Sequence, residues 1–246
     1  MLNRIALACS AALAFSAVPA ASFATTLGSN LIVNGNAEAD TGSNNGDQIG
    51  PVTGFTSTGQ FTVVQYGASG GFPQPADPGP ADRGNNFFAG GPTAALSTGS
   101  QLIQVGDASA AIDSGKVAYD LSAWLGGFAT QDDNAVLSLS FLDTDAAQLG
   151  TASLGPVTEP DRGGNTGLLS RDLMGLVPIG TRSIDVTLTL TRDEGSYDDG
   201  YADNLSLVLS GGNPSAVPEP GNVTLMFAGM GALALALRRQ VARSRG

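Results

Sequence analysis

Through the middle and late parts of the chain, apolar and polar residues alternate one for one. Ile184, Val186, Leu188 and Leu190 interleave with Asp185, Thr187, Thr189 and Thr191, and Leu205, Leu207 and Leu209 with Ser206, Val208 and Ser210. Leu137, Leu139 and Phe141 alternate with Ser138 and Ser140, and Val117, Tyr119 and Leu121 with Ala118, Asp120 and Ser122. A period of two places one apolar face on a core and the other toward water, which predicts antiparallel strands. Shorter runs over 61–66 and 101–105 add two candidates. The separators are turn chemistry: Gly126-Gly127, Asp132-Asp133-Asn134, Gly163-Gly164-Asn165 and Asp198-Asp199-Gly200. No stretch of the body has a convincing amphipathic helical pattern; 168–177 offers a short helical turn at most. A Gly-, Pro- and Asn-rich stretch before Phe87, including Gly70-Gly71-Phe72-Pro73-Gln74-Pro75, reads as a long loop ordered only in part. The expectation is an all-β fold: a single antiparallel β-sandwich of the jelly-roll kind over 25–210.

Both ends follow a different logic. Arg4 precedes an apolar run broken only by small residues, and Ser22-Phe23-Ala24 supplies a cleavage site after Ala24, so 1–24 reads as a secretory signal. Near the C-terminus, 221–237 holds no charge. As a helix it would span roughly 25 Å, close to the ~30 Å hydrocarbon core. Arg238, Arg239, Arg243 and Arg245 follow and place that end in the cytoplasm. Ahead of the run stands Pro218-Glu219-Pro220, whose prolines deny Glu219 both helix and sheet. Residues 211–217 form the tether between body and strip.

This order of Pro-Glu-Pro, short apolar span and Arg cluster resembles the PEP-CTERM sorting signal of Gram-negative bacteria, over about the last 30 residues. The resemblance implies an exosortase-type membrane protease as partner, reading Pro218, Glu219 and Pro220. It also implies transient anchoring in the inner membrane, then release to the cell surface or the exopolysaccharide matrix of a biofilm. A plain one-span anchor is the alternative for the same run.

Charge and composition narrow the chemistry. Without signal and tail, 25–217 keeps 21 acidic and 6 basic residues, a net charge of −15 against −11 for the whole chain. Nucleic acid, which needs a basic footprint, is excluded as a partner. The chain has no His, and its one Cys is Cys9, inside the signal. That removes His-dependent nucleophiles, thiol catalysis and an intrachain disulfide.

Two strings carry a second resemblance. Asn30-Leu31-Ile32-Val33-Asn34-Gly35-Asn36-Ala37-Glu38 is similar to the opening strand of galactose-binding-like and carbohydrate-binding-module sandwiches. Tyr201-Ala202-Asp203-Asn204-Leu205-Ser206-Leu207 is similar to their closing strand. The resemblance implies that the two ends lie side by side and share a structural calcium ion. Glu38, Asp203 and Asn204 are the expected ligands, with Asn34 as a further oxygen source. The alternative is that these Asp and Asn residues only build turns. For Asp198, Asp199 and Asp132-Asp133-Asn134 the turn is the expectation.

Sugar binding would need an aromatic platform with polar neighbours. The aromatic candidates are Trp124, the only tryptophan, Phe128, Tyr197, Tyr201, Phe87 and Phe88, with a core position as the alternative for Trp124 and Tyr201. Arg83, in Asp82-Arg83-Gly84-Asn85-Asn86, could grip a sugar, or pair with the adjacent Asp; Arg162, in Asp161-Arg162-Gly163-Gly164-Asn165, has the same two readings. The body has only Glu38, Glu159 and Glu194, with nothing to single out a catalytic pair, so no enzyme is expected. The main expectation is a structural or adhesive protein of the surface or matrix. A polysaccharide-binding module is the first alternative, and a carboxylate-based glycoside hydrolase the second.

Overall fold

The computed structural model describes residues 27–211. The signal segment with Ala24, the tether beyond 211, the Pro218-Glu219-Pro220 strip, the run 221–237, and Arg238 and Arg239 all lie outside the described residues. No helix among those described is long and apolar enough to cross a membrane.

The alternating runs form strands that stack as two five-stranded antiparallel sheets. The first sheet has the order β1 (Thr56–Thr58), β4 (Leu96–Gln104), β9 (Ser183–Thr191), β6 (Asn134–Leu142) and β7 (Gln148–Leu154). The second has the order β2 (Thr62–Gln65), β3 (Asn86–Gly91), β10 (Asp198–Gly211), β5 (Val117–Gly127) and β8 (Gly167–Leu176). Two short helices, α1 (Ser109–Asp113) and α2 (Glu159–Arg162), sit in connections. Ile184, Val186, Leu188 and Leu190 of β9 face Leu121 and Leu125 of β5 and Leu205, Leu207 and Leu209 of β10 within one buried cluster. Each such side chain contributes roughly 1.5–3 kcal/mol on burial.

Four segments depart from expectation. Of residues 168–177, all but Val177 lie not in a helical turn but in β8, an edge strand whose even-numbered residues Ser170, Asp172, Met174 and Leu176 are exposed. The exposed Met174 and Leu176 gave that stretch an apolar look that its one-sided burial does not require. The segment 30–38 is not a strand either. Asn34 (φ 55°) and Ala37 (φ 59°) adopt left-handed backbone, which breaks an extended run. The two ends nonetheless meet: the Leu31 N–H donates to the Leu207 carbonyl (2.9 Å) and the Leu205 N–H to the Gly35 carbonyl (2.8 Å). A Cβ on Gly35 would stand 2.2 Å from the Leu205 carbonyl oxygen, so only glycine permits this approach. Asp198 and Asp199 are the first residues of β10 rather than a turn, and Asn134 is the first of β6.

The fourth departure is the glycine- and proline-rich excursion between β2 and β3, which folds back over the outer face of the second sheet. Phe72, Phe87, Val64, Ala68, Leu168 and Tyr201 are buried there in a second hydrophobic cluster, separate from the inter-sheet core. Phe87 meets Tyr201 edge-on at 5.2 Å, Tyr66 meets Phe87 at 5.0 Å, and Phe72 meets Tyr197 edge-on at 5.0 Å. The loop is thus held by burial of its aromatic residues, despite a composition poor in strand formers.

Truncating Phe72 to Ala is expected to lower unfolding free energy by about 3 kcal/mol and to open the excursion to limited proteolysis. A denaturation midpoint and cleavage rate equal to the parent's would contradict this account of the second cluster.

Candidate functional site

Below the excursion the outer face of the second sheet stays open, and a cleft of about 500 Å3 forms there. Its floor is Ser122, Ala123 and Trp124 of β5, Ser170 of β8, and Asn204, Leu205 and Ser206 of β10. Asp82, from the excursion, and Asn34, Gly35 and Asn36, from the N-terminal segment, form its rim. Strand register explains the grouping. Trp124 lies across from Ser170 on one side and Asp203 on the other, and Ser122 lies between Ser206 and Asp172.

Trp124 is half-buried, packed by one part against the second aromatic cluster while it lines the cleft. Asn204 Nδ2 donates to Asp82 Oδ1 at 2.9 Å, which ties rim to floor. Asn34 is held by its own loop, donating to Asp40 Oδ2 and accepting from the Ala39 N–H, both at 2.9 Å. The hydroxyls of Ser122, Ser170 and Ser206 have no protein hydrogen-bond partner among the described residues. Three free hydroxyls on three adjacent strands beside a tryptophan make a surface suited to a polyhydroxylated ligand.

A β-bulge between Asp203 and Ser206 shapes the upper end, with Asn204 at φ 49°. A bulge re-aims side chains; here Asp203 is fully buried and accepts from the Tyr66 hydroxyl (2.8 Å) and the Asn204 N–H (2.7 Å). Burial pushes its carboxyl up to about 7; the two hydrogen bonds oppose the shift, and Glu38 and Asp82 add to it. Glu38 Oε1 accepts the N–H groups of Asn85 (2.7 Å) and Asn86 (2.8 Å), and Oε2 accepts Asn85 Nδ2 (3.2 Å). Glu38, Asp203 and Asn204 therefore lie in one neighbourhood, but every carboxylate oxygen of the first two already accepts a protein donor. Among the described residues no group of three acidic side chains is disposed to hold a metal ion. As placed, this donor set does not make the oxygen cage of six to eight ligands that calcium takes.

The other expected ligand residues are placed elsewhere. Tyr201 is wholly buried and its hydroxyl donates to Asp199 Oδ1 (2.5 Å). Arg83 lies outside the cleft, its guanidinium 5.0 Å from the Tyr66 ring centroid, and donates to the carbonyls of Pro80, Gln74 and Asp77. Arg162 does the same, donating to the carbonyls of Ala129, Asn165 and Gln131. Neither arginine forms the ion pair with its adjacent Asp that the sequence allowed; Asp161 pairs with Arg171 at 3.2 Å. Asp82, Ser122, Ser170 and Ser206 were not singled out from the sequence. The only prior sign of them was that Ser122 and Ser206 occupy outward positions of their alternating runs.

At the start of β10, three acidic residues are packed together without sharing a cleft. Asp133 is fully buried and accepts from the N–H groups of Asp193, Glu194 and Asp199. Asp198 is equally buried and its Oδ2 has no partner. Burial raises Asp198 to about 7, with the Gly200 N–H and Arg192 opposing and Asp133 and Asp199 adding; Asp199 rises to about 6 by burial.

No protein-family model matches the chain, and no curated protein matches it. Solved structures of similar form include the Family 16 Carbohydrate Binding Module-2, at 22% identity, covering 73% of this chain and 99% of the module, with a TM-score of 0.41. The CBM22-1 xylan-binding domain from Paenibacillus barcinonensis is 14% identical, with 65% and 88% covered and a TM-score of 0.36. The enzymatically active domain of bacteriophage CBA120 tailspike protein 4 is 16% identical with a TM-score of 0.45; the match covers 73% of this chain and 21% of the tailspike chain. None of these likenesses carries a ligand or a reaction across to this chain.

The buried carboxyls Asp198, Asp199 and Asp203 all make stability depend on pH in the same direction, and Asp198 shows the sign. Below its ordinary value of 3.8 both folded and unfolded chains hold the proton, and the residue contributes nothing. Between 3.8 and about 7 the unfolded chain has lost the proton while the folded chain keeps it, so each rise in pH costs stability; above that the penalty is complete. The melting temperature is expected to fall from pH 5 to pH 8, and Asp198→Asn to flatten that fall and raise the value at pH 8 by a few degrees. A variant with the parent's slope would remove Asp198 as its source.

Proposed function

We propose that this protein is a polysaccharide-binding β-sandwich that works outside the cell, with its ligand in the cleft beside Trp124. The observation that carries the reading is the set of free hydroxyls on Ser122, Ser170 and Ser206 next to the half-buried indole. An aromatic face supports the apolar face of a sugar ring, while hydroxyl and amide groups exchange hydrogen bonds with its rim. Asp82 is the one carboxylate among the lining residues, and glycoside hydrolysis uses two across the scissile bond, so the reading is of binding and not catalysis.

Export and sorting complete the proposal. The secretory signal, the Pro218-Glu219-Pro220 strip and the Arg238-Arg239 cluster support passage through the inner membrane and processing by an exosortase-type protease. A body of net charge −15 suits a soluble life at the surface or in the exopolysaccharide matrix. Holding polysaccharide there would itself give the protein an adhesive role.

Replacing Trp124 with Ala is expected to weaken binding to polysaccharide by at least ten-fold, read by affinity electrophoresis or a glycan array, with the melting temperature lowered but folding intact. Binding equal to the parent's would move the site elsewhere, and a parent protein that holds no glycan would end the proposal.

A further inference from the structure

The charges that face the open sheet have one sign. Asp82 stands on the rim of the cleft, with Oδ1 taken by Asn204 and no described donor on Oδ2. Below it, Asp172 is paired in register with Ser122, and Asp120 with Met174; both carboxylates are exposed on the outward side of their strands. Cations are turned elsewhere. Arg83 is bound to three carbonyls and lies over Tyr66, against the neighbouring pocket. Arg171 is in register with the inward-facing, buried Ala123, so it points away from this face, and it pairs with Asp161. Arg162 is buried at the far end of the sheet, and Lys116, exposed just before β5 at the other end, lies beyond Asp120 and outside the cleft lining.

We propose that the ligand is a polysaccharide bearing free amino groups, a cationic amino-sugar polymer, and not a uronate. This rests on the glycan-binding reading and adds the class of sugar. From Trp124 through Ser122 to Asp120 the strand advances four residues, roughly 13 Å, enough for two or more sugar units in line. One unit stacks on Trp124 with its hydroxyls among Ser122, Ser170 and Ser206. Its neighbours then place ammonium groups against Asp82 at one side and against Asp172 and Asp120 further along. A uronate would set carboxylates against the same three residues, on a body already at −15, and like charge at that range repels. The strip is therefore selective by repulsion as well as by attraction.

The test compares four probes on the folded, secreted form at about pH 6, where amines are protonated: glucosamine oligosaccharides, their N-acetylated counterparts, a polyuronate, and oligolysine. The glucosamine oligosaccharides are expected to bind about five-fold tighter than the N-acetylated ones at low salt, the scale of an exposed ion pair. That ratio should shrink at high salt and in Asp82→Asn, with Asp172→Asn as a second variant. Equal binding of amine and N-acetyl forms, or a polyuronate that binds as well, would overturn the inference while leaving glycan binding in place. Oligolysine matching the glucosamine oligosaccharides would also overturn it, because the face would then read charge alone. If no glycan binds, the functional reading falls with it.

Discussion

The open face of the second sheet exists because only its upper part is covered, and the cover is the aromatic cluster of Phe72, Phe87 and Tyr201. A half-exposed sheet must either hide its outer side chains or make them polar. This chain does both in sequence. Where the excursion lies, Val64, Phe87, Leu168 and Tyr201 are apolar and buried; below it, Ser122, Ser170 and Ser206 take their place. Trp124 falls on the boundary, with one part in the cluster and the rest in the cleft. The packing that fixes the excursion therefore also fixes the indole and brings Asp82 to the rim. Rigid support of this kind is what a binding site needs, since ordering the site on binding would cost affinity.

The electrostatics follow from the scarcity of cations. With 6 basic residues against 21 acidic ones in 25–217, most carboxylates have no cationic partner. Several are held by backbone N–H groups instead: Glu38 by Asn85 and Asn86, Asp133 by Asp193, Glu194 and Asp199, Asp143 by Asp145 and Ala147. The arginines in turn close loops through carbonyls. Arg83 and Arg162 each donate to three carbonyl oxygens in a glycine-rich segment that supplies few side-chain acceptors. A guanidinium with five donors in a fixed fork suits that task better than an ammonium would. Charge in this protein is structural inside the loops and acidic on the open face, so the two uses do not compete.

The strands of the inter-sheet core could be read from the sequence because one-sided burial writes itself as alternation, as in Ile184, Val186, Leu188 and Leu190. That signal fails where the exposed face is itself apolar: the edge strand β8 is buried on one side, but it exposes Met174 and Leu176, so its sequence pattern does not separate the faces. The excursion fails in another way. Phe72 lies between glycines and prolines, and nothing local reveals that it will meet Phe87 and Tyr197. Trp124 was legible as a candidate because it is the only tryptophan. The three serines were not, since an outward serine looks alike whether it faces bulk water or a cleft. Tyr201 and Asp203 shared one string with Asn204, yet the first two are buried on the outer face beneath the excursion, while the bulge that follows Asp203 leaves the third at the cleft. A backbone irregularity of one residue is below what spacing can reveal.

The position of the described termini bears on how such a domain would be held. The Gly28 N–H donates to the Leu209 carbonyl at 2.8 Å, so the first and last described residues leave the sandwich side by side. Gly211 is in register with Val117, at the start of β5, while Trp124 lies seven residues further along the same strand. That separation is roughly 23 Å at strand rise. A domain tethered through its C-terminal end would thus carry the cleft well clear of the attachment point, with the acidic strip of Asp172 and Asp120 running between the two. Polysaccharide could then lie along the sheet while the tether is still in place, so processing at Pro218-Glu219-Pro220 need not precede binding. The same geometry would serve a released protein equally, so the proposed binding face would be open on both sides of the proposed sorting step.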